Sequence, residues 1–202
     1  MSDPHPLPPD KAELRARLLA ERARLTADQR SAAGRGIARA FAELLGERRP
    51  RLCAVYLAIG TEPPTGPLIE VLAERGADLI VPLVTPDGEL DWVPYRPGAR
   101  MTKGPRGTLL PADIPPLGRG AIGHAELVVV PALAVAADGA RLGRGGGGYD
   151  RALVRRGPGS TVLAVVYENE VVPELPTEPH DQRVDGVLTP GGGWWVAPGG
   201  RR

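Results

Sequence analysis

Apolar positions along this chain recur with two alternating spacings. Leu14, Leu18 and Leu25 lie on one side of a helical wheel with charges elsewhere, which predicts a helix beginning at Asp10. The Asp10 carboxylate can cap that helix and face its positive end. Thr26-Ala27-Asp28-Gln29 has the spacing of a capping box, so a second helix starts there, with Ala33, Ile37, Phe41, Leu44 and Leu45 as its apolar stripe. Gly34 and Gly36 weaken this helix, and Gly46 with Pro50 ends it. Residues 51–59 read as a buried strand followed by the turn-forming loop Gly60-Thr61-Glu62-Pro63-Pro64-Thr65. Pro67 suits the first position of a helix that carries Leu68, Ile69, Val71 and Leu72 and stops near Gly76. Residues 78–84 and 89–95 read as strands, and residues 96–124 as a long irregular segment rich in Gly and Pro. The continuous apolar run 126–133 suits a central strand buried on both faces, stopping near Pro131. A short helix over 149–156, a strand over 161–167 and a last short strand over 185–189 complete the pattern.

Strands alternating with helices predict an α/β protein: three layers, α/β/α, around a mostly parallel central sheet. The expected organisation is a disordered Pro-rich segment at 1–9, one domain over 10–190 and a Gly-rich tail at 191–202. In such sheets ligands bind beyond the carboxyl ends of the strands. The loop of Glu62 and the glycines after residue 142 both emerge from such ends.

Charge and composition narrow the function classes. With 25 basic and 24 acidic residues the net charge is +1, which argues against a general nucleic-acid or membrane-surface protein. Cys53 is the single cysteine and lies in an apolar run, so it reads as a small buried hydrophobe, with no disulfide framework. The N-terminal residues lack the basic and apolar regions of a secretory signal, and no apolar run approaches the roughly 20 residues of a membrane span. A soluble cytoplasmic protein is expected.

The densest candidate chemistry is Arg141-Leu142-Gly143-Arg144-Gly145-Gly146-Gly147-Gly148-Tyr149-Asp150-Arg151. Glycines permit positive φ and close approach of a ligand, and successive N–H groups ahead of a helix can cradle phosphate oxygens. Arginine adds forked donors and aspartate a metal-binding carboxylate. A flexible connection fits a bare glycine run equally well. The segment lacks the Gly-Lys-Ser/Thr ending of a Walker loop, and its match to Gly-x-Gly-x-x-Gly is one that any glycine run produces.

The same eleven residues resemble the signature of the 5-formyltetrahydrofolate cyclo-ligase (methenyltetrahydrofolate synthetase) family. Four further pieces agree in order and spacing. Lys11-Ala12-Glu13-Leu14-Arg15 is similar to the family's N-terminal Lys-x-x-Leu-Arg, and the 60–65 loop to its loop with an acid followed by threonine. Pro131 to Gly139 resembles the segment leading into the signature. Leu175-Pro176-Thr177-Glu178-Pro179-His180-Asp181-Gln182-Arg183-Val184-Asp185 resembles the late Leu-Pro-x-Glu-x-His-Asp-x-x-Val-Asp motif. The likeness covers about residues 10–190.

The resemblance implies an enzyme that closes 5-formyltetrahydrofolate to 5,10-methenyltetrahydrofolate with ATP and Mg²⁺, releasing ADP and phosphate. The formyl oxygen is a poor leaving group. Transfer of the γ-phosphoryl makes it a good one, the neighbouring amine nitrogen attacks, and phosphate departs. Positioning and charge stabilisation are then the protein's main tasks. By this resemblance Lys11, Arg15, Arg141, Gly143, Arg144, Gly145, Gly146, Gly147, Gly148 and Tyr149 bind ATP, and Lys11, Arg141 and Asp150 are catalytic. Asp150 and Asp181 hold Mg²⁺, Glu62 takes the N–H donors of the pterin, Tyr149 lines the folate site, and His180 has no catalytic part. Reduced folate is the expected small-molecule partner of a monomer, with no nucleic acid and no membrane. The chain departs from the family where Gly148-Tyr149 replaces two tyrosines, where Val135-Ala136 replaces Phe-Asp, and along 101–116, where the likeness is faint. A paralogue acting on another small amide, or a non-catalytic nucleotide or folate binder, are the alternatives that these departures leave open.

Overall fold

The order of elements follows the two spacings. Helices α1 (Lys11–Ala23) and α2 (Ala27–Leu45) precede β1 (Leu52–Val55), α3 (Gly66–Glu74), β2 (Asp78–Val84) and β3 (Leu90–Tyr95). A hairpin of β4 (Met101–Lys103) and β5 (Leu109–Pro111) and a 3₁₀ turn at Arg119–His124 lead to β6 (Leu127–Pro131), β7 (Ala134–Ala136), β8 (Arg141–Leu142) and α4 (Gly148–Leu153). Then come β9 (Thr161–Val165), β10 (Val171–Val172), β11 (Gly186–Thr189) and β12 (Gly192–Trp195). The structure is a computed structural model and describes residues 10–104 and 108–196. The disordered segment expected at 1–9 lies outside the described residues, as does the end of the expected tail.

A seven-stranded sheet runs in the order β12-β11-β9-β6-β1-β2-β3. Its five inner strands are parallel, and the edge strands β3 and β12 are antiparallel to their neighbours. Side chains of β6 alternate between the two faces. Leu127 and Val129 join a core with Ile37, Phe41, Leu68 and Leu72, whereas Val128 and Val130 join Trp92, Ile122 and Leu153 on the other face. The central sheet is therefore covered on both sides, as the unbroken apolar run of β6 requires. A second sheet, β10-β7-β8, carries α1 through Leu14 and Leu18, which pack on Leu133, Ala134 and Leu142.

The capping box forms as read: Thr26 Oγ1 accepts the Gln29 N–H at 3.2 Å, and Gln29 Oε1 accepts the Thr26 N–H at 2.8 Å. Gly34 and Gly36 serve close approach. A Cβ on Gly36 would stand 2.5 Å from the Pro190 carbonyl oxygen, and one on Gly34 would stand 3.0 Å from Pro64 Cβ. The second contact seats the Glu62 loop on α2.

Several expectations change. Asp10 sits at the α1 N-cap but its side chain makes no capping bond; its carbonyl accepts the Leu14 N–H. Leu25 falls beyond α1, and the buried position one turn after Leu18 is taken by Arg22. β1 is shorter than 51–59, because Thr65 Oγ1 donates to the Tyr56 carbonyl at 2.8 Å and accepts the Ala58 N–H at 3.1 Å. That hydroxyl satisfies backbone groups which would otherwise need a neighbouring strand. The 96–124 segment contains the β4–β5 hairpin and a 3₁₀ turn. Gly192–Trp195, expected in a tail, form the edge strand β12. Among the described residues no helix is long and apolar enough to cross a membrane.

Candidate active site

The glycine segment links β8 to α4. Pairing of β8 with β7 directs Arg141 inward, where its side chain is 3% exposed. Its Nη2 donates to Asp150 Oδ1 at 2.6 Å and its Nη1 to the Pro131 carbonyl at 3.4 Å, while Nε is buried without an acceptor. Asp150 stands in the first turn of α4, and its Oδ1 also accepts the Gln182 N–H at 3.1 Å. Gly145 and Gly147 have φ of 95° and 64°, the left-handed turns that glycine adopts without strain. Arg15 Nε donates to the Gly143 carbonyl at 2.9 Å.

Helix α1 brings Lys11 to the late motif. Lys11 Nζ is 2.9 Å from both Asp181 Oδ2 and Glu178 Oε1, and Asp181 Oδ2 also accepts the Glu178 N–H at 2.8 Å. Burial pulls the Lys11 pKa down, but its bonds to Asp181 and Glu178 outweigh this and leave it raised. Burial pushes the Asp181 carboxyl up, and the Lys11 ammonium and Glu178 N–H bring it below its usual range. Both ions are therefore charged at neutral pH. Asp181, Glu178, Gln182 and Arg183 line a cavity of about 370 Å³ together with Arg141 and Thr177. His180 is mostly exposed, with Nε2 3.7 Å from Glu178 Oε2.

Glu62 lies in the loop after β1 and is 7% exposed. Its Oε2 accepts the Ile59 N–H at 2.9 Å, and its Oε1 is 3.3 Å from Arg144 Nη2. Burial raises the Glu62 pKa, opposed by the Ile59 N–H and by Arg144. Two tyrosines hold the loop: the Tyr167 hydroxyl donates to the Thr61 carbonyl at 3.3 Å and the Tyr56 hydroxyl to Pro63 at 3.4 Å. The ring of Tyr149 packs against both main cores, and burial, then Glu62, raise the pKa of its hydroxyl.

The structure thus joins Lys11 to Asp181, Arg15 to Gly143, Arg141 to Asp150 and Arg144 to Glu62. Gly148 begins α4, and a Cβ there would make ordinary contacts with the Gly88 carbonyl and Leu90, at 3.5–3.6 Å. Gln182, which bridges the late motif to Asp150, and the buried Arg22–Glu170 pair behind α1 were not singled out by sequence. Spacing offers no signal for either, since one acts through its backbone and the other joins residues 148 positions apart.

Among the described residues no three His, Cys, Asp or Glu side chains form a metal-holding group. Asp150 and Asp181 lie on either side of the Gln182 amide link, and each has one oxygen engaged by a cation. Carboxylate oxygens are hard donors of the kind Mg²⁺ takes, one or two per site beside water and phosphate.

A sequence model described as "5-formyltetrahydrofolate cyclo-ligase family" matches residues 8–190. A Mycolicibacterium smegmatis protein named 5-formyltetrahydrofolate cyclo-ligase is 39% identical over 150 residues, 69% of this chain and 74% of its own. The Escherichia coli K12 protein of that name is 31% identical over 148 residues, 70% of this chain and 79% of its own. The solved Aquifex aeolicus 5,10-methenyltetrahydrofolate synthetase superposes with a TM-score of 0.78 at 25% identity, covering 94% of both chains. The Mycoplasma pneumoniae 5,10-methenyltetrahydrofolate synthetase shares the fold with a TM-score of 0.72 at 20% identity, covering 90% of this chain and 99% of that one. With its motifs and its fold in agreement, this chain belongs to the 5-formyltetrahydrofolate cyclo-ligase family.

Proposed function

We propose that this chain catalyses the ATP-dependent cyclisation of 5-formyltetrahydrofolate to 5,10-methenyltetrahydrofolate, releasing ADP and phosphate. One observation carries the site assignment. Asp150 of the glycine segment accepts hydrogen bonds from Arg141 and from the Gln182 N–H, so the two most specific motifs converge on one carboxylate. ATP supplies a phosphoryl group that turns the formyl oxygen into a leaving group. Mg²⁺ held by Asp150 and Asp181 would neutralise phosphate charge.

The chain's own residues act by position and charge. Lys11, Arg141 and Arg144 are each ion-paired with an acid of the site, so they stand close to where anionic phosphate would bind. Nucleotide binding would then exchange partners: phosphate would take Lys11, Arg141 and Arg144, leaving Asp150 and Asp181 to hold the metal and Glu62 to meet folate. Arg15 holds the Gly143 carbonyl, which shapes the segment whose N–H groups would cradle phosphate. Glu62, dry and fixed by the Ile59 N–H, would accept the pterin N–H donors with Tyr149 beside it. A buried carboxylate with one oxygen shared by a half-exposed arginine is suited to exchange that arginine for a ligand. The rate comes from the preformed arrangement of donors, which needs no nucleophilic side chain. Cytoplasmic location, a monomeric state and reduced folate as the small-molecule partner complete this reading.

The test is turnover of 5-formyltetrahydrofolate with ATP and Mg²⁺, followed by the absorbance of methenyltetrahydrofolate. A folded protein without turnover would sink the assignment.

A further inference from the structure

Arg151 closes the signature, but its side chain touches none of Lys11, Arg141, Asp150 or Asp181. It follows Asp150 on α4, so it points about 100° away around the helix and cannot share the Asp150–Arg141 contact. Its guanidinium lies instead between the glycine segment and the β2–β3 turn. Nη1 and Nη2 each donate to the Gly146 carbonyl at 3.3 Å, and Nη2 also donates to the Gly88 carbonyl at 2.8 Å. Nε is bound to Glu89 Oε1, and Arg155 Nη2 is 2.9 Å from Glu89 Oε2. A hydrogen bond from Arg151, opposed by burial and aided by Arg155, holds the Glu89 carboxyl below its usual range, so it is ionised at neutral pH.

The geometry has a consequence for the segment. In a planar trans peptide the carbonyl and the following N–H point in opposite directions. Holding the Gly146 carbonyl on Arg151 therefore turns the Gly147 N–H away from that arginine. Arg15 does the same at the other end, where its bond to the Gly143 carbonyl turns the Arg144 N–H away. Gly147 holds φ 64°, which glycine adopts without strain, and a Cβ there would stand 2.6 Å from Arg151 Nη1 and press on the end of that side chain. We propose that Arg151, braced by Glu89, is a positioning residue that fixes the Gly146–Gly147 peptide so that its N–H is presented to the nucleotide. The proposal rests on the reading of residues 143–148 as the ATP cradle. Arg151 is 44% exposed, so its contribution to the fold itself is small.

The experiment is titration of the full-length protein with Mg-ATP by calorimetry, alongside steady-state kinetics, for Arg151→Gln, Arg151→Lys and Glu89→Gln. Arg151→Gln is expected to weaken Mg-ATP binding about tenfold, as for loss of charge-assisted bonds, with the KM for folate within about twofold. Arg151→Lys restores charge without the fork and should recover only part of the loss. Glu89→Gln should weaken binding less than Arg151→Gln, and the double variant should be no weaker than Arg151→Gln alone. Melting temperatures should move by no more than about 2 °C. The proposal is overturned if Arg151→Gln leaves Mg-ATP affinity unchanged or weakens folate equally. It is also overturned if Glu89→Gln tightens Mg-ATP, since that would make Arg151 a direct phosphate ligand restrained by Glu89. Wild-type protein that fails to bind Mg-ATP would remove the cradle reading and the brace with it, an outcome distinct from a silent variant.

Discussion

Glu170→Gln tests whether α1, and with it Lys11 and Arg15, is fixed from inside the core. Glu170 is 1% exposed and accepts three hydrogen bonds: Arg22 Nε at 2.6 Å, Arg22 Nη2 at 2.8 Å and the Tyr167 N–H at 2.8 Å. Arg22 is 2% exposed, also donates to the Ala132 carbonyl at 2.5 Å, and lies 5.5 Å above the Tyr167 ring. Glutamine has the size of glutamate, so area burial predicts no change. Its amide, however, turns a donor toward donors, and Arg22 cannot release its proton. An uncompensated buried charge costs about 3–5 kcal/mol. For a chain of this size that corresponds to a fall of roughly 6–20 °C in melting temperature. Arg22 follows Arg15 by seven residues and Lys11 by eleven, on one helical stripe about 16 Å long. Loosening Arg22 should therefore also weaken ATP binding through Lys11. Urea unfolding followed by circular dichroism measures the stability, with Arg22→Met/Glu170→Gln as the second variant. The double removes both charges and keeps an acceptor for the Tyr167 N–H, so it should be more stable than Glu170→Gln alone. A Glu170→Gln protein within about 1 kcal/mol of wild type, or a further loss on adding Arg22→Met, would show that α1 is not fixed by this buried pair.

Four further outcomes are expected. Lys11→Ala should cut kcat/KM about 10²–10³-fold, the range for loss of one preorganised charge, with unfolding midpoints near wild type. Asp150→Asn should lose as much activity and also about 1–3 kcal/mol of stability, because Arg141 is buried against it. Glu62→Gln should stabilise the fold and weaken folate binding together. Burial raises the folded pKa of Glu62 above its unfolded value, so the native state holds that proton more tightly. Stability from this group is then complete below about pH 4.3 and is lost as pH rises through the folded pKa. The gain from Glu62→Gln should appear near pH 7 and vanish near pH 4, which melting curves across pH will check. Gly148→Ala should raise helix stability by about 0.5–1 kcal/mol, whereas Gly147→Ala, strained at φ 64° and set against Arg151, should lower both stability and Mg-ATP affinity.

How much of this was legible in the chain depends on what each residue's signal is made of. The central strands were readable because burial on both faces demands unbroken apolar runs, as in Leu127–Pro131, and α2 because its capping box and stripe are local. The candidate site was readable as motifs, since glycines with arginines and an aspartate already name a chemistry. Arg22 was not readable. It occupies a core position that hydropathy assigns to Leu25, and only Glu170, brought from the far side of the fold, makes its burial tolerable. Arg151 was visible in the signature without a role, because its partners Gly88 and Glu89 come from a turn that sequence places nowhere near it. Arg144 and Glu62 look like members of separate sites until the structure sets them 3.3 Å apart. These cases share one cause. A charged residue carries the same local signature whether it is solvated, structural or bound to a ligand, and the choice is made by a partner distant in sequence. The pairing of Arg144 with Glu62 has a further consequence: the segment assigned to nucleotide and the acid assigned to folate are linked by one half-exposed side chain. Any ligand that takes Arg144 must change the charge environment of Glu62. On the proposed reading, ATP and folate binding are therefore coupled through this contact.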